Sequence, residues 1–333
     1  MKFTHYLIIF IQVLVLTCAS PTLAKSEQKP VVQSILDDAY RKFKDEDSGK
    51  NADYIPALAK VDSAYFGLAV VTPHGKIYTQ GDVTQPFSIQ SISKVFTLAL
   101  AMEQQGPQTI VDKIGVNATG LAFNSVTAIE LNKARSVNPL VNAGAIATVS
   151  LLDGQNEKAK WSALSTWYDM FANRQLTVLE DVYKSESDTN GHNRAIAELL
   201  NSYNRFYGDV DINLSVYTRQ CSVAVTAKDL AVMASVLANN GVHPLTDKRL
   251  MSSDNVSRVL AVMTTAGLYE NSGQWAYQVG LPAKSGVGGG IIAVSPGKFA
   301  VAVFSPKLDV AGNSVRAQKA IGFIAEHLHA NIF

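Results

Sequence analysis

Strand-like segments stand at the two ends of this 333-residue chain, and most of what lies between them has helical texture. Tyr65 to Val71 and Lys76 to Thr79 flank the turn Pro73-His74-Gly75, and Ile291 to Val294 and Phe299 to Phe304 flank Ser295-Pro296-Gly297. Val31 to Asp45 carries apolar residues at helical spacing: Val31, Val32, Ile35, Leu36, Ala39, Tyr40 and Phe43. Ser314 to His329 repeats that pattern at the far end. From Ser91 to about Met263 the signals are mostly helical. Among them Thr226-Ala227-Lys228-Asp229 reads as a capping box, and Gly241 closes the helix that follows. The economical α/β solution is one antiparallel sheet built from both termini, flanked by helices, with an all-helical subdomain inserted. The sheet lobe takes about residues 25–90 and 265–333, and the helical lobe about 91–264. A site is expected where the lobes meet.

The first 24 residues stand apart from that scheme. Lys2 and His5 make a short positive end, Tyr6 to Leu16 is apolar except for Gln12, and Thr22 and Ala24 precede Lys25. This is the layout of a secretory signal peptide cleaved after Ala24, and it predicts a periplasmic or secreted protein with no stable membrane anchor. The apolar stretch is short of the roughly 20 residues that span a bilayer. Val15-Leu16-Thr17-Cys18 resembles a lipid-attachment site, but a Thr before the Cys fits that pattern poorly. Cleavage would leave Cys221 without an intrachain disulfide partner.

Composition excludes several classes. Lys and Arg number 29 against 28 Asp and Glu, so the basic face of a nucleic-acid binder is not expected. A hydrophobic fraction of 47% excludes a disordered chain. Two cysteines exclude a disulfide scaffold or a four-thiolate zinc site. There is no H-E-x-x-H, phosphate-binding loop or dinucleotide fingerprint.

The chemistry begins at Phe87-Ser88-Ile89-Gln90-Ser91-Ile92-Ser93-Lys94, which precedes the apolar run Val95 to Ala101. A helix starting near Ser91 puts Ser91 and Lys94 on one face. Serine needs a base beside it, and a desolvated lysine can be that base. S-x-x-K alone is a weak signal; Ser26 to Lys29 and Ser295 to Lys298 also match it, without opening a helix. Lys284-Ser285-Gly286 strengthens it, since a K-[ST]-G triplet entering a late strand is a second mark of serine β-lactamases and penicillin-binding proteins. The third mark, S-D-N, occurs at Ser253-Asp254-Asn255, but there it reads as a helix N-cap. Ser136-Val137-Asn138 is better placed and a looser match, and no E-x-x-L-N element stands where a β-lactamase needs one.

Three longer runs settle the comparison: Gln90-Ser91-Ile92-Ser93-Lys94, Asn138-Pro139-Leu140-Val141-Asn142-Ala143-Gly144-Ala145-Ile146 and Gly280-Leu281-Pro282-Ala283-Lys284-Ser285-Gly286-Val287. Together they resemble the serine-dependent glutaminase family, from about Ile35 to Phe333. The resemblance implies a β-lactamase-like fold, hydrolysis of L-glutamine to L-glutamate and ammonia, no cofactor and a homodimer or homotetramer. It also implies roles for single residues. Ser91 matches the nucleophile, Lys94 the neighbouring base and Tyr269 a tyrosine beside the nucleophile. Tyr54, Asn142, Glu186, Asn193 and Tyr217 match substrate contacts, and Val287 the residue whose backbone N–H completes an oxyanion hole with that of Ser91. Ser187 to His192 departs most from the family's wording, so Glu186 and Asn193 rest on spacing.

Substrate chemistry agrees with these roles. Glutamine's ammonium asks for an anion, which Glu186 supplies. Its carboxylate asks for donors, which Tyr54, Asn142, Asn193 and Tyr217 supply. Lys94 and Tyr269 both stand as candidates for the group that takes the Ser91 proton. Two alternatives fit the same residues: a penicillin-recognising hydrolase, and an amino-acid binding protein that has lost catalysis.

Overall fold

The structure, a computed structural model, describes residues 30–135 and 137–333. The expected signal peptide, the Ser26–Lys29 match and Ser136 lie outside those residues. Seven strands occur in it: β1 (Gly67–Val71), β2 (Ile77–Gly81), β3 (Phe87–Ser88), β4 (Ala224–Val225), β5 (Ala283–Gly286), β6 (Gly290–Ser295) and β7 (Phe299–Phe304). Five of them form one sheet in the order β2-β1-β7-β6-β5, with every neighbour antiparallel. The two ends of the chain therefore meet at β1 and β7, where Leu68 stands opposite Val303 and Val70 opposite Val301.

Strand side chains alternate between two buried layers, as a period of two demands. Leu68, Val70, Ile291, Ala293, Val301 and Val303 enter one core with Leu36, Ala39, Ile321 and Ile324 of the terminal helices Val31–Phe43 and Val315–His327. Ala69, Val71, Ile292, Val294, Ala300, Ala302 and Phe304 enter the larger core on the other side. The helix Ala227–Ala238 covers that inner face, packing on β1, β6 and β7. Burial on both faces explains why β1, β6 and β7 read as nearly unbroken apolar runs. The expected capping box is present at the start of this helix, where Thr226 and Asp229 exchange side-chain to backbone hydrogen bonds.

The middle of the chain supplies the helical lobe. Its two central helices, Ser93–Gln105 and Asn142–Leu151, pack on each other and are buried on nearly every side. Neither shows a polar face, the mark of a helix enclosed by its neighbours. Gly144 lets the Asn142–Leu151 helix start against the preceding loop, since a Cβ there would lie 1.9 Å from the carbonyl oxygen of Asn138. At the other end of that helix the buried Lys160 amine donates to the carbonyls of Ser150 (3.1 Å) and Leu152 (2.8 Å), where a cation suits the helix dipole.

One connection is not announced by periodicity. β3 pairs with β4, Phe87 opposite Val225, and Ile89 N–H donates to Val223 O at 2.8 Å. This two-stranded ladder ties the segment leading to Ser91 into the helical lobe. The Lys284-Ser285-Gly286 triplet lies within a strand, β5, rather than ahead of one. No described helix is long and apolar enough to cross a membrane.

Candidate active site

Ser91 sits in a single 3-10 turn, Gln90–Ile92, that runs directly into the helix Ser93–Gln105. Gln90 enters the turn in the left-handed region, at φ 50°. A non-glycine residue there is strained and is found where the surroundings over-determine it. Here the surroundings are the end of β5. A Cβ at Gly286 would fall 2.8 Å from Ile89 O, and one at Gly288 would fall 2.5 Å from Ser88 O. Only glycines on either side of Val287 allow its backbone to lie against the Ser91 turn. The Val287 side chain turns into a small cluster with Ala52, Ile55 and Leu58, which holds that backbone in place.

Lys94 follows one turn after Ser91 and is 1% exposed. Its amine donates to Asn142 Oδ1 at 2.7 Å and lies 5.9 Å from the centre of the Tyr217 ring. Burial penalises its charged form and draws its pKa down to about 8, against weaker opposition from Cys221 and Glu186. Asn142 passes the contact on, since its Nδ2 donates to Asn193 Oδ1 at 2.9 Å. The asparagine expected to hold substrate thus also holds the lysine, and Asn193 arrives as its partner from the helix Gly191–Ser202.

Tyr269 is also left-handed, at φ 56°, and is buried. Its hydroxyl donates to Ser285 O at 3.2 Å and has Ser91 as an electrostatic neighbour. Burial pushes its phenol up to about 12, so it is neutral near pH 7. The Phe123 ring lies 4.7 Å from it. Glu186, on the half-buried face of the helix Glu180–Asp188, accepts a hydrogen bond from Gln90 Nε2. Burial raises its carboxyl to about 7, against the Gln90 hydrogen bond and the nearby Lys94 charge. Tyr217 is buried in the helix Val210–Cys221, which pushes its phenol well above the usual range. Tyr54 stands at the rim, 55% exposed, with Tyr269 and Glu186 as electrostatic neighbours. Ala57 N–H, three residues on, donates to Ser185 Oγ at 3.4 Å and links that rim to the Glu186 helix.

Every residue given a catalytic or binding role in the sequence therefore falls within one linked constellation. Ser253-Asp254-Asn255 does not join it. Ser252 caps the helix Ser253–Ala266 by accepting from Asn255 N–H, and the triplet is part of that helix start. Two residues of the constellation were given no role in the sequence: Gln90, beside the nucleophile, and Lys284, whose only signal was its place in the K-S-G triplet. Cys221 is buried, and burial pushes its thiol up to about 12, as suits a packing residue. Among the described residues no group of three or more His, Cys, Asp or Glu could hold a metal ion.

The glutaminase family model matches residues 49–333. The chain belongs to the glutaminase family. A glutaminase from Colwellia psychrerythraea is 90% identical over 311 residues, covering 93% of this chain and all of that one. One from Brucella canis is 54% identical over 285 residues, covering 86% of this chain and 90% of that one. Among solved structures, a probable glutaminase, ybaS, superimposes with a TM-score of 0.89 at 49% identity, over 91% of this chain and 98% of that one. A Bacillus subtilis protein described as a probable glutaminase complexed with 6-diazo-5-oxo-L-norleucine superimposes with a TM-score of 0.81 at 31% identity, over 91% and 96%. The β-lactamase-like fold expected from the motifs is the glutaminase fold found here.

The Lys94–Asn142 contact sets an expectation for this glutaminase site. Asn142→Asp puts a carboxylate against the amine, which favours the ammonium and raises the Lys94 pKa from about 8 to roughly 9 or more. Nitrogen-15 NMR of the lysine side chains checks this; an unmoved titration would show that Asn142 does not govern Lys94.

Proposed function

We propose that this chain hydrolyses L-glutamine to L-glutamate and ammonia through a glutamyl-serine ester, with Ser91 as nucleophile and Lys94 as its base. One observation carries the reading. A fully buried lysine, without a carboxylate salt bridge among the described residues, stands one helical turn from a buried serine that has the Tyr269 phenol as a neighbour. An amine with a pKa near 8 has a usable neutral fraction at pH 7, whereas a phenol near 12 is already protonated. That difference selects Lys94 over Tyr269 as base.

Ser91 Oγ attacks the side-chain amide carbon as Lys94 takes its proton. The carbonyl oxygen becomes an oxyanion, received by the backbone N–H groups of Ser91 and Val287. Donors of this kind are worth roughly 3 kcal/mol each in the transition state. The C–N bond then breaks, and the proton on Lys94 passes to the leaving nitrogen to give ammonia. Water attacks the ester with Lys94 again accepting a proton, the C–Oγ bond breaks as Lys94 returns that proton to Ser91 Oγ, and glutamate leaves. Tyr269 holds Ser91 Oγ in line throughout. Glu186 receives the substrate ammonium, and Tyr54, Asn142, Asn193 and Tyr217 face its carboxylate. The chain is further proposed to act as a homodimer or homotetramer, a reading supported by the family resemblance, and after export. The charged start, apolar stretch and small-residue pair of the first 24 residues support export.

Ser91→Ala should abolish ammonia release from glutamine, and mass spectrometry of rapidly quenched wild type should show an ester on Ser91; release that survives the substitution refutes the mechanism. Two groups set the pH dependence. Glu186 must be ionised to receive the ammonium and Lys94 neutral to accept a proton, so kcat/KM climbs as pH rises through about 7 and again through about 8. Glu186→Gln should remove the lower step and raise KM about tenfold or more; an unchanged KM and pH profile would exclude its role. N-terminal sequencing of protein recovered outside the cytoplasm should begin at Lys25, and a retained Met1 would exclude cleavage.

A further inference from the structure

Gly312 and Asn313 lie in the loop between β7 and the terminal helix Val315–His327, and no step above uses them. They stand between two parts of the site that come from different segments. A Cβ at Gly312 would lie 3.5 Å from Val287 Cγ1 and 3.6 Å from Tyr269 Cε2, so the loop packs directly on both residues. Asn313 is 0% exposed and commits both ends of its amide to the same two segments. Its Oδ1 accepts from Ser285 Oγ at 2.6 Å, and its Nδ2 donates to Leu268 O at 3.4 Å. Ser285 stands two residues before Val287, and Leu268 one before Tyr269. Asp309 fixes the asparagine in turn. Asn313 N–H donates to Asp309 Oδ1 at 2.9 Å, and Asn313 O accepts from Asp309 N–H at 2.8 Å. Gln318 Nε2, from the terminal helix, donates to Asp309 Oδ2 at 2.9 Å.

We infer that Asn313 is a positioning residue that holds the Val287 backbone and the Tyr269 turn in register beside Ser91, without touching substrate. A planar amide carries an acceptor and a donor at a fixed separation, so two segments bonded to its two ends cannot slide independently. A backbone bond from Ser285 N–H to Gly267 O, at 3.3 Å, already brings the segments together. What the amide adds is a second tie on the far side of the Ser285 residue, which fixes the strand's rotation as well as its approach. Tyr269 needs such support, because its left-handed backbone persists only where the surroundings over-determine it. The Val287 N–H needs it too, since an oxyanion donor acts through placement, and a displacement of about 1 Å can cost about a hundredfold in rate. Ser285 Oγ is buried and bonded to Asn313, so this hydroxyl of the K-S-G triplet serves the scaffold rather than a ligand.

The inference rests on the roles given above to Ser91, Val287 and Tyr269, so Ser91→Ala is assayed alongside. Asn313→Ala should lower kcat for glutamine, per folded enzyme, about tenfold or more while KM stays within about threefold. Ser285→Ala removes the hydroxyl that Asn313 holds and should lower kcat about threefold or more, again with KM kept. In the double variant the losses should not multiply, leaving kcat within about twofold of Asn313→Ala alone, because both changes break one bond. A residue needed only for folding would lower Tm and leave kcat of the folded enzyme as in wild type, and that result would overturn the inference. Multiplying losses, or a loss carried by KM instead of kcat, would also overturn it. Where Asn313→Ala does not fold, Ser285→Ala decides, and an unchanged kcat there would overturn the inference. Activity that survives Ser91→Ala would instead overturn the mechanism on which the inference rests.

Discussion

An amine taken out of water governs this structure. Lys94 gives up hydration for one neutral acceptor, Asn142 Oδ1, and a nearby tyrosine face. A carboxylate partner would have made its burial easier and the chemistry harder, because a tight ion pair holds the proton on nitrogen. The fold supplies the alternative. The helix carrying Lys94 packs against the helices Asn142–Leu151, Glu157–Ala172 and Ser253–Ala266, and the amine is almost wholly buried. Much of the helical lobe can be understood as the means of delivering Asn142 to that spot. Gly144 permits the close start of its helix and Lys160 fixes its end.

Charge is then distributed by exclusion. Glu186 is near enough to be felt by Lys94 but bonds Gln90 instead. The carboxylate is bonded by Gln90 and the amine by Asn142, so the two charges do not pair directly. Gln90 keeps the two apart and also forms the strained entry to the Ser91 turn. The Ser91 turn and the Glu186 carboxylate are thus coupled through one side chain.

Much of this was legible beforehand. Apolar strand runs and helix periodicity are local properties, so the terminal sheet, its covering helices and the Thr226 cap could be read directly. The long ordered runs around Ser91, Asn142 and Lys284 carried the family, and the proposed site residues came with it. What could not be read was contact at a distance. No spacing rule says that Asn142 Oδ1 faces Lys94, that Lys284 lies against Tyr269, or that β3 pairs with β4. Left-handed backbone at Gln90 and Tyr269 is equally silent, because neither is a glycine and the cause lies in other segments. The S-D-N triplet shows the converse: a local motif reads as catalytic in one setting and caps a helix in another.

The sheet order bears on how such a chain matures. β1 lies between β2 and β7, so its second edge stays open until Phe299–Phe304 has been synthesised. The partners that complete the Ser91 turn, Tyr269 and the glycines around Val287, come from the same late portion of the chain. A growing or truncated polypeptide therefore holds Ser91 and Lys94 without Tyr269 or the Val287 backbone beside them. Under the proposed mechanism the site would stay incomplete until the last strands are in place.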